Sequence, residues 1–369
     1  MKIAFISAHP APYRNPLFSR LCNDPRLYCD VYDEREIDQG HGFWALGEQG
    51  YLSRQLYPYD SGVFIRIAQL MRNLVFGDYD LVIWSGFYSN YQVLAMLLSL
   101  CFHRRYGFAA DTVEQKSIGM LSKVLKRAIV RHARLIFVPG EAGKKFWREK
   151  YGVAEARIVK GAYALDNKKL DRDILSLQKK RLEIRRKLGL KGDDKVFLMV
   201  ANMIPSRHYP ITANGFISFA EQHRDCRFII VGNGPEFEKM KKTSNEHSEL
   251  VVLPGCAFAE MMSLYAAADV YVHGGKEPAS TALVIGAIAG LPIVTSDAVG
   301  CSKDVLMDGS NGVKVKDYLS SDCWRHAFEE VYGQADKWRE YGECSKRLAS
   351  SLDVDAVHEE FVRRLFSVV

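Results

Sequence analysis

The sequence predicts an α/β protein of two doubly wound, Rossmann-like halves facing across a cleft. Three observations predict it. Short apolar runs bounded by turn residues alternate with helical patterns, as parallel βαβ units do. The alternation gives way to a charged stretch at 168–191 and restarts at residue 195. The chain of 369 residues also exceeds what one core ordinarily holds. The expected division is an N-terminal domain at 1–166, a C-terminal domain at 167–350 and a last amphipathic helix at 351–369, packed back on the first domain.

The elements follow in order. "KIAFISA" reads as the first strand and "HPAPYR" as the loop after it. Asn15 as N-cap and Pro16 at the first helical position open a helix. "LYCDVYD", "DLVIWSG", "RYGFAAD" and "ARLIFVPG" are further strands, while "SNYQVLAMLLSL" and "GEAGKKFWREKY" are helices. The second half runs strand "KVFLMVANM", helix "ITANGFISFAEQH", strand "CRFIIVGNGP", strand "ELVVLPG" and helix "FAEMMSLYAAA". Ligands of such sheets bind at the carboxyl ends of the strands. The loops "HPAPYR", "WSGFYS", "ANMIPSRH", "VGNGP" and "HGGKEPAS" are therefore the candidate cleft.

Composition narrows the classes. The net charge of +6 suits an anionic ligand or membrane surface and is too weak to argue for nucleic acid. Eight scattered cysteines without a C-x-x-C pair argue against zinc and a disulfide framework, and favour a reducing, cytoplasmic setting. "MKIAFISAHP" reads as a strand rather than a signal peptide. The longest apolar run, "VLAMLLSLCF", is too short to cross a bilayer.

The stretch 273–300 carries the chemistry. "DVYVHGG" is a strand, Pro278 and Ser280 suit a helix start, and Thr281–Ala289 is apolar on every side, as buried helices are. Gly290 and Pro292 stop it, and "IVTSD" is the next strand. Free amides at that helix start, near Ala279, Ser280 and Thr281, favour a phosphate. A carboxylate beside them, Glu277, suits neutral hydroxyls. Phosphate with hydroxyls describes a nucleotide sugar. Glu277 also fits a simpler role, as an acid complementing the helix macrodipole.

These residues resemble a known pattern. "EPASTALVIGAIAGLPIV", between "DVYVHGG" and "IVTSDAVG", resembles the signature of family 4 retaining glycosyltransferases of the GT-B fold. "FLMVANMIPSRHYP", "FIIVGNGPE" and "LVVLPGCAFAEMM" resemble its other segments, and "ISAHPAPYRNPLFSRL" resembles the N-terminal loop of members found in surface-polysaccharide pathways. The resemblance implies a metal-independent, retaining transfer to a glycan or lipid-linked acceptor, with no cofactor. It implies that Glu277 meets donor-sugar hydroxyls and that Arg207 meets the diphosphate. It places Asn202, Gly232, Gly234, Gly255, Lys276, Ala279, Ser280 and Thr281 at the donor. His9, on the first loop, is a catalytic candidate. Arg14, Asp111, Ser85 and Tyr88 are candidates on the acceptor or phosphate side. Two positions depart from the pattern. Asn202 stands where the family has an arginine, and Ile285 where a second glutamate holds the ribose. These departures leave room for a degenerate pseudo-transferase acting as a partner in glycan assembly. A nucleotide-sugar epimerase of the same fold ranks below it.

The pairs Asp78–Asp80 and Asp353–Asp355 read as a turn and a helix start rather than a metal site. Within 116–134, Met120, Leu121, Val124, Leu125, Ile129 and Val130 alternate with Lys123, Lys126, Arg127, Arg131 and Arg134. A basic amphipathic helix of this kind can lie on the inner, anionic face of a membrane. A core-packed helix with a solvated basic face explains the same pattern.

Overall fold

Strands that are apolar on both faces need cover on both sides, which parallel sheets flanked by helices provide. In the computed structural model, which describes residues 1–10, 12–35, 50–58, 60–110, 119–161 and 164–368, two units form. They are Met1–Asp166 with Leu352–Val369, and Asn167–Ser351. Unit 1 contains β1 (Lys2–Ser7), β2 (Tyr28–Asp33), β3 (Ser53–Gln55), β4 (Leu81–Trp84), β5 (Tyr106–Ala109), β6 (Ile136–Val138) and β7 (Ile158–Lys160). They pair in parallel in the order β3-β2-β1-β4-β5-β6-β7. Unit 2 contains β8 (Lys195–Val200), β9 (Cys226–Val231), β10 (Leu250–Leu253), β11 (Val270–His273), β12 (Ile293–Thr295) and β13 (Gly312–Lys314). Their parallel order is β10-β9-β8-β11-β12-β13. Both sheets are doubly wound, as the sequence predicts. Strand order reverses between β1 and β4, and between β8 and β11, where the loops part and leave room for a ligand.

β3 (SRQ), β7 (IVK) and β13 (GVK) are three residues each, and sequence reading does not find them because none lies in an apolar run like those around the equally short β6 and β12. The first helix differs by one position. It is Asn15–Cys22, and Arg14 occupies the cap without capping. The Asn15 side chain instead accepts from the Tyr51 hydroxyl at 3.0 Å. The charged stretch at 168–191, which by its composition reads as a connection between the halves, belongs to unit 2, as helices Asn167–Gln178 and Arg181–Lys187. Arg185 explains this. It is 3% exposed and donates to the carbonyls of Ala267, Gly192 and Asp194 and to Asp269. Asp269 in turn accepts the Val196 amide at the start of β8. A buried guanidinium satisfied on all sides ties the helix to the strand edges.

The last helix, Val354–Val368, is part of unit 1. Val357, Phe361, Val362 and Leu365 join the core of Leu17, Phe18, Leu21 and Phe137. At its rim Arg26 bridges Asp24 and Glu359, and His358 lies 2.9 Å from Asp24. The Arg26 hydrogen bonds hold the Asp24 carboxyl down to about 2, against its burial. A folded pKa below the unfolded value of about 4 means that this contribution is complete above that pH and fades as pH falls towards 2. Thermal melts of the wild type should therefore drop between pH 4 and 2 more steeply than those of Asp24→Asn. Parallel curves would contradict the role given to this pair.

Candidate functional site

The site in unit 2 is made by two loops in close approach. One is the single turn Pro205–Arg207 after β8. The other is Gly274–Pro278, after β11. Gly275 has φ +79°, and a Cβ there would sit 2.4 Å from Arg207 Cα. A Cβ on Gly274 would sit 2.5 Å from Thr212 Oγ1. Only glycines allow this contact. It is held by the Lys276 amide on the Ser206 carbonyl (3.0 Å) and Arg207 Nη1 on the Lys276 carbonyl (3.0 Å). On its other side, the Glu277 amide donates to Ala298 and its carbonyl accepts from Gly300.

Glu277 is thereby fixed with its two oxygens on different partners. Arg207 Nη2 donates to Oε2, and His273 Nε2 meets Oε1. The Glu277 and Arg207 side chains are 10% and 14% exposed, and that of His273 is 0% exposed. His273 Nδ1 faces Tyr271 Oη at 3.2 Å and Ser280 Oγ at 3.5 Å. Burial, first of all, keeps the Tyr271 phenol protonated far above its ordinary range, and its hydroxyl lies 3.2 Å from the Val200 carbonyl.

The helix after this loop is Thr281–Ile288, and Ser280 caps it by accepting the Leu283 amide at 3.2 Å. The Ser280 amide turns inward to the Cys301 sulfur at 3.1 Å, whose thiol is pushed up by burial. Of the three amides expected to meet phosphate, Ser280's therefore differs. Those of Ala279 and Thr281, with that of Ala282, have no backbone acceptor among the described residues. This is an anion-favouring helix start beside one guanidinium. Lys276 is exposed at its edge. Asn202 is exposed in the β8 loop. Gly232 and Gly234 back against the Ala201 and Met203 carbonyls, and the Gly255 amide donates to Asn233 at 2.9 Å. Ile285 is 1% exposed, so this position is core.

In unit 1, His9, Arg14, Ser85 and Tyr88 gather at the carboxyl ends of β1 and β4. Ser7 Oγ donates to the His9 carbonyl (2.7 Å) and accepts from Arg14 Nη1 (3.1 Å). Ser85 Oγ donates to the Ile6 carbonyl (2.6 Å), and the Tyr88 ring lies 6.3 Å from that of His9. Asp111 lies outside the described residues.

Sequence reading misses two features. One is His273, although a histidine ending a buried parallel strand, four residues before the acid, is itself a signal. The other is Glu34, 1% exposed after β2, which accepts from Tyr57 (2.8 Å) and Gln92.

Residues 180–347 match the model of the family described as glycosyl transferases group 1. Alpha-monoglucosyldiacylglycerol synthase of Acholeplasma laidlawii is 25% identical over 136 residues, which are 35% of this chain and 33% of that protein. The chain thus spans about a third of the length of this curated relative. Among solved structures, Anabaena HepE in complex with UDP and glucose aligns over 100% of both chains, with TM-score 0.75 and 16% identity. A glycosyltransferase of Rickettsia africae aligns over 100% of this chain and 98% of that one, with TM-score 0.78 and 10% identity. These likenesses establish the GT-B fold.

Gly275→Ala tests the loop contact against backbone strain alone. Gly189 has a similar φ, +73°, with nothing within 4 Å of a Cβ. Gly189→Ala should cost about 1–2 kcal/mol of unfolding free energy for the left-handed conformation. Gly275→Ala should cost clearly more in the same urea titration, because the Cβ also displaces Arg207. Equal losses would mean that the loops are not in contact.

Proposed function

We propose that this chain, whose residues 180–347 match the model of the glycosyl transferases group 1, moves a sugar from a nucleotide-sugar donor to a glycan or lipid-linked acceptor, in surface-polysaccharide or glycoconjugate synthesis. The observation that carries this is the joining of Glu277 and Arg207 beside open helix amides. Arg207 and the amides of Ala279, Thr281 and Ala282 would stabilise the charge that grows on the leaving diphosphate. Glu277 would accept hydrogen bonds from the donor sugar. The retaining course that the resemblance implies is a front-side exchange. The bond from C1 to the diphosphate breaks, the acceptor oxygen bonds C1 on the same face, and its proton passes to a diphosphate oxygen. No side-chain base and no metal are needed. His9, Arg14, Ser85 and Tyr88 would serve the acceptor or phosphate side. HepE in complex with UDP and glucose makes UDP-glucose the first donor to try, and the Acholeplasma synthase suggests a lipid-borne acceptor.

A second reading has its own observation. Ile285 is sealed in the core where the pattern expects a ribose acceptor. A pseudo-transferase that has lost its donor would look like this. Thermal melts with UDP, GDP, ADP, TDP, CMP and their sugar conjugates separate the two readings. A ligand at 100 times its Kd adds about 2.7 kcal/mol to the folded state. One ligand should raise the melting temperature by several degrees, and Glu277→Ala or Arg207→Ala should abolish the rise. EDTA should leave it unchanged. A flat panel at millimolar ligand would favour the pseudo-transferase.

Contact with an anionic membrane through helix Met120–His132 belongs to the same proposal. Met120, Leu121 and Val124 are 84%, 73% and 57% exposed on it. Beside its end, Arg127, Arg131, His132, Lys150 and Arg157 line a cavity of about 470 Å³ with no acid among its lining residues. No helix among the described residues is long and apolar enough to cross a membrane. Sedimentation with vesicles rich in anionic lipid should carry the protein down, and Leu121→Glu with Val124→Glu should largely prevent it. Equal binding to neutral vesicles would contradict the proposal.

A further inference from the structure

We propose that His273 is a positioning residue, which holds Glu277 in the conformation that reads the donor sugar and keeps it from collapsing onto Arg207. This rests on the transferase reading above and adds a residue to that site. His273 would touch no substrate.

Hydrogen-bond accounting leads there. A carboxylate only accepts, so His273 Nε2, which faces Glu277 Oε1, must carry a hydrogen. In a neutral ring Nδ1 is then an acceptor. The Tyr271 hydroxyl lies 3.2 Å from both the Val200 carbonyl and Nδ1, and we assign its one hydrogen to the carbonyl, which has only lone pairs to offer. Ser280 Oγ already accepts the Leu283 amide, so its own hydrogen is available to Nδ1. The bonds then run one way: Leu283 amide to Ser280, Ser280 to His273, His273 to Glu277. This order assigns the tautomer. It also ties the acid to the cap of the helix whose first amides are open. A substrate cannot displace His273, because the ring is fully buried.

The consequence is selective. Glu277 Oε2 pairs with Arg207 Nη2, while the buried Arg207 Nε has no hydrogen-bond partner among the described residues. A donor would take Arg207 onto its diphosphate. Glu277 would then need a second anchor to stay in place, and His273 supplies it. Without His273 both carboxylate oxygens are free to turn to the guanidinium as a two-bonded fork, which satisfies both groups and withholds both from the donor. The carboxylate that reads sugar would be affected more than the amides that read phosphate.

The test compares binding of UDP-glucose and UDP to the full chain by calorimetry; if UDP-glucose gives no thermal shift, the conjugate that does and its parent diphosphate replace them. His273→Leu should weaken the sugar conjugate by roughly 10- to 100-fold, the worth of one hydrogen bond to a charged group, and the bare diphosphate much less. His273→Gln places an amide N–H near the position of Nε2 and should recover most of the loss. His273→Asn places it near Nδ1, out of reach of Glu277, and should not. A merely structural role predicts that Gln and Asn behave alike, and that result would overturn the proposal. Equal loss of sugar conjugate and diphosphate would overturn it too. If the variants do not fold, ¹⁵N-histidine spectra of the wild type provide the same test. The buried ring should be the Nε2–H tautomer, and an Nδ1–H ring would overturn the assignment. A wild type that binds none of the panel would overturn the transferase reading, while the tautomer still tests the geometry at Glu277.

Discussion

The near contact of two backbones, Pro205–Arg207 against Gly274–Lys276, is the constraint on which the unit 2 site depends. Without side chains on residues 274 and 275 the loops approach within bonding distance, and Arg207 reaches Glu277. This is why one carboxylate follows two glycines in the sequence. The apolar helix that follows has a related cause. Leu283 to Ile288 are all buried, so the helix lies inside unit 2, and its first turn opens beside the acid.

The pair has a dual character. Opposite charges with little exposure are costly to separate unless something replaces each partner. A ligand that carries both a diphosphate and hydroxyls replaces both at once. A ligand with only one of these leaves the other charge with a poorer environment. This favours a bipartite donor over free phosphate or free sugar. The buried histidine adds a fixed point, so that exchange of one partner does not release the acid.

Much of this was legible in the sequence because the strands are short, apolar and regularly spaced. "KVFLMV" and "CRFIIV" are adjacent parallel strands, and Ser280 caps its helix as its hydroxyl and position suggest. β3 (SRQ), β7 (IVK) and β13 (GVK) are not legible, since none lies in an apolar run like those around the equally short β6 and β12. Asn15 suits a cap by its residue type but is bonded to Tyr51, 36 positions away, and such a contact leaves no local mark. His273 is legible in part, since its place at the end of a buried strand, four residues before the acid, is a local signal, while its burial and its bond to Glu277 come from β11 and the turn after it. Glu277 and Arg207 both stand out from pattern. Their contact across 70 positions appears only in the fold.

A crystal structure of the chain soaked with the nucleotide sugar that gives the largest thermal shift would test the central claim most directly. The account predicts that Arg207 leaves Glu277 for the diphosphate, that Glu277 accepts from sugar hydroxyls, and that His273 Nε2 stays on Glu277. A bound donor with the Arg207–Glu277 pair intact, or with its sugar away from Glu277, would contradict it.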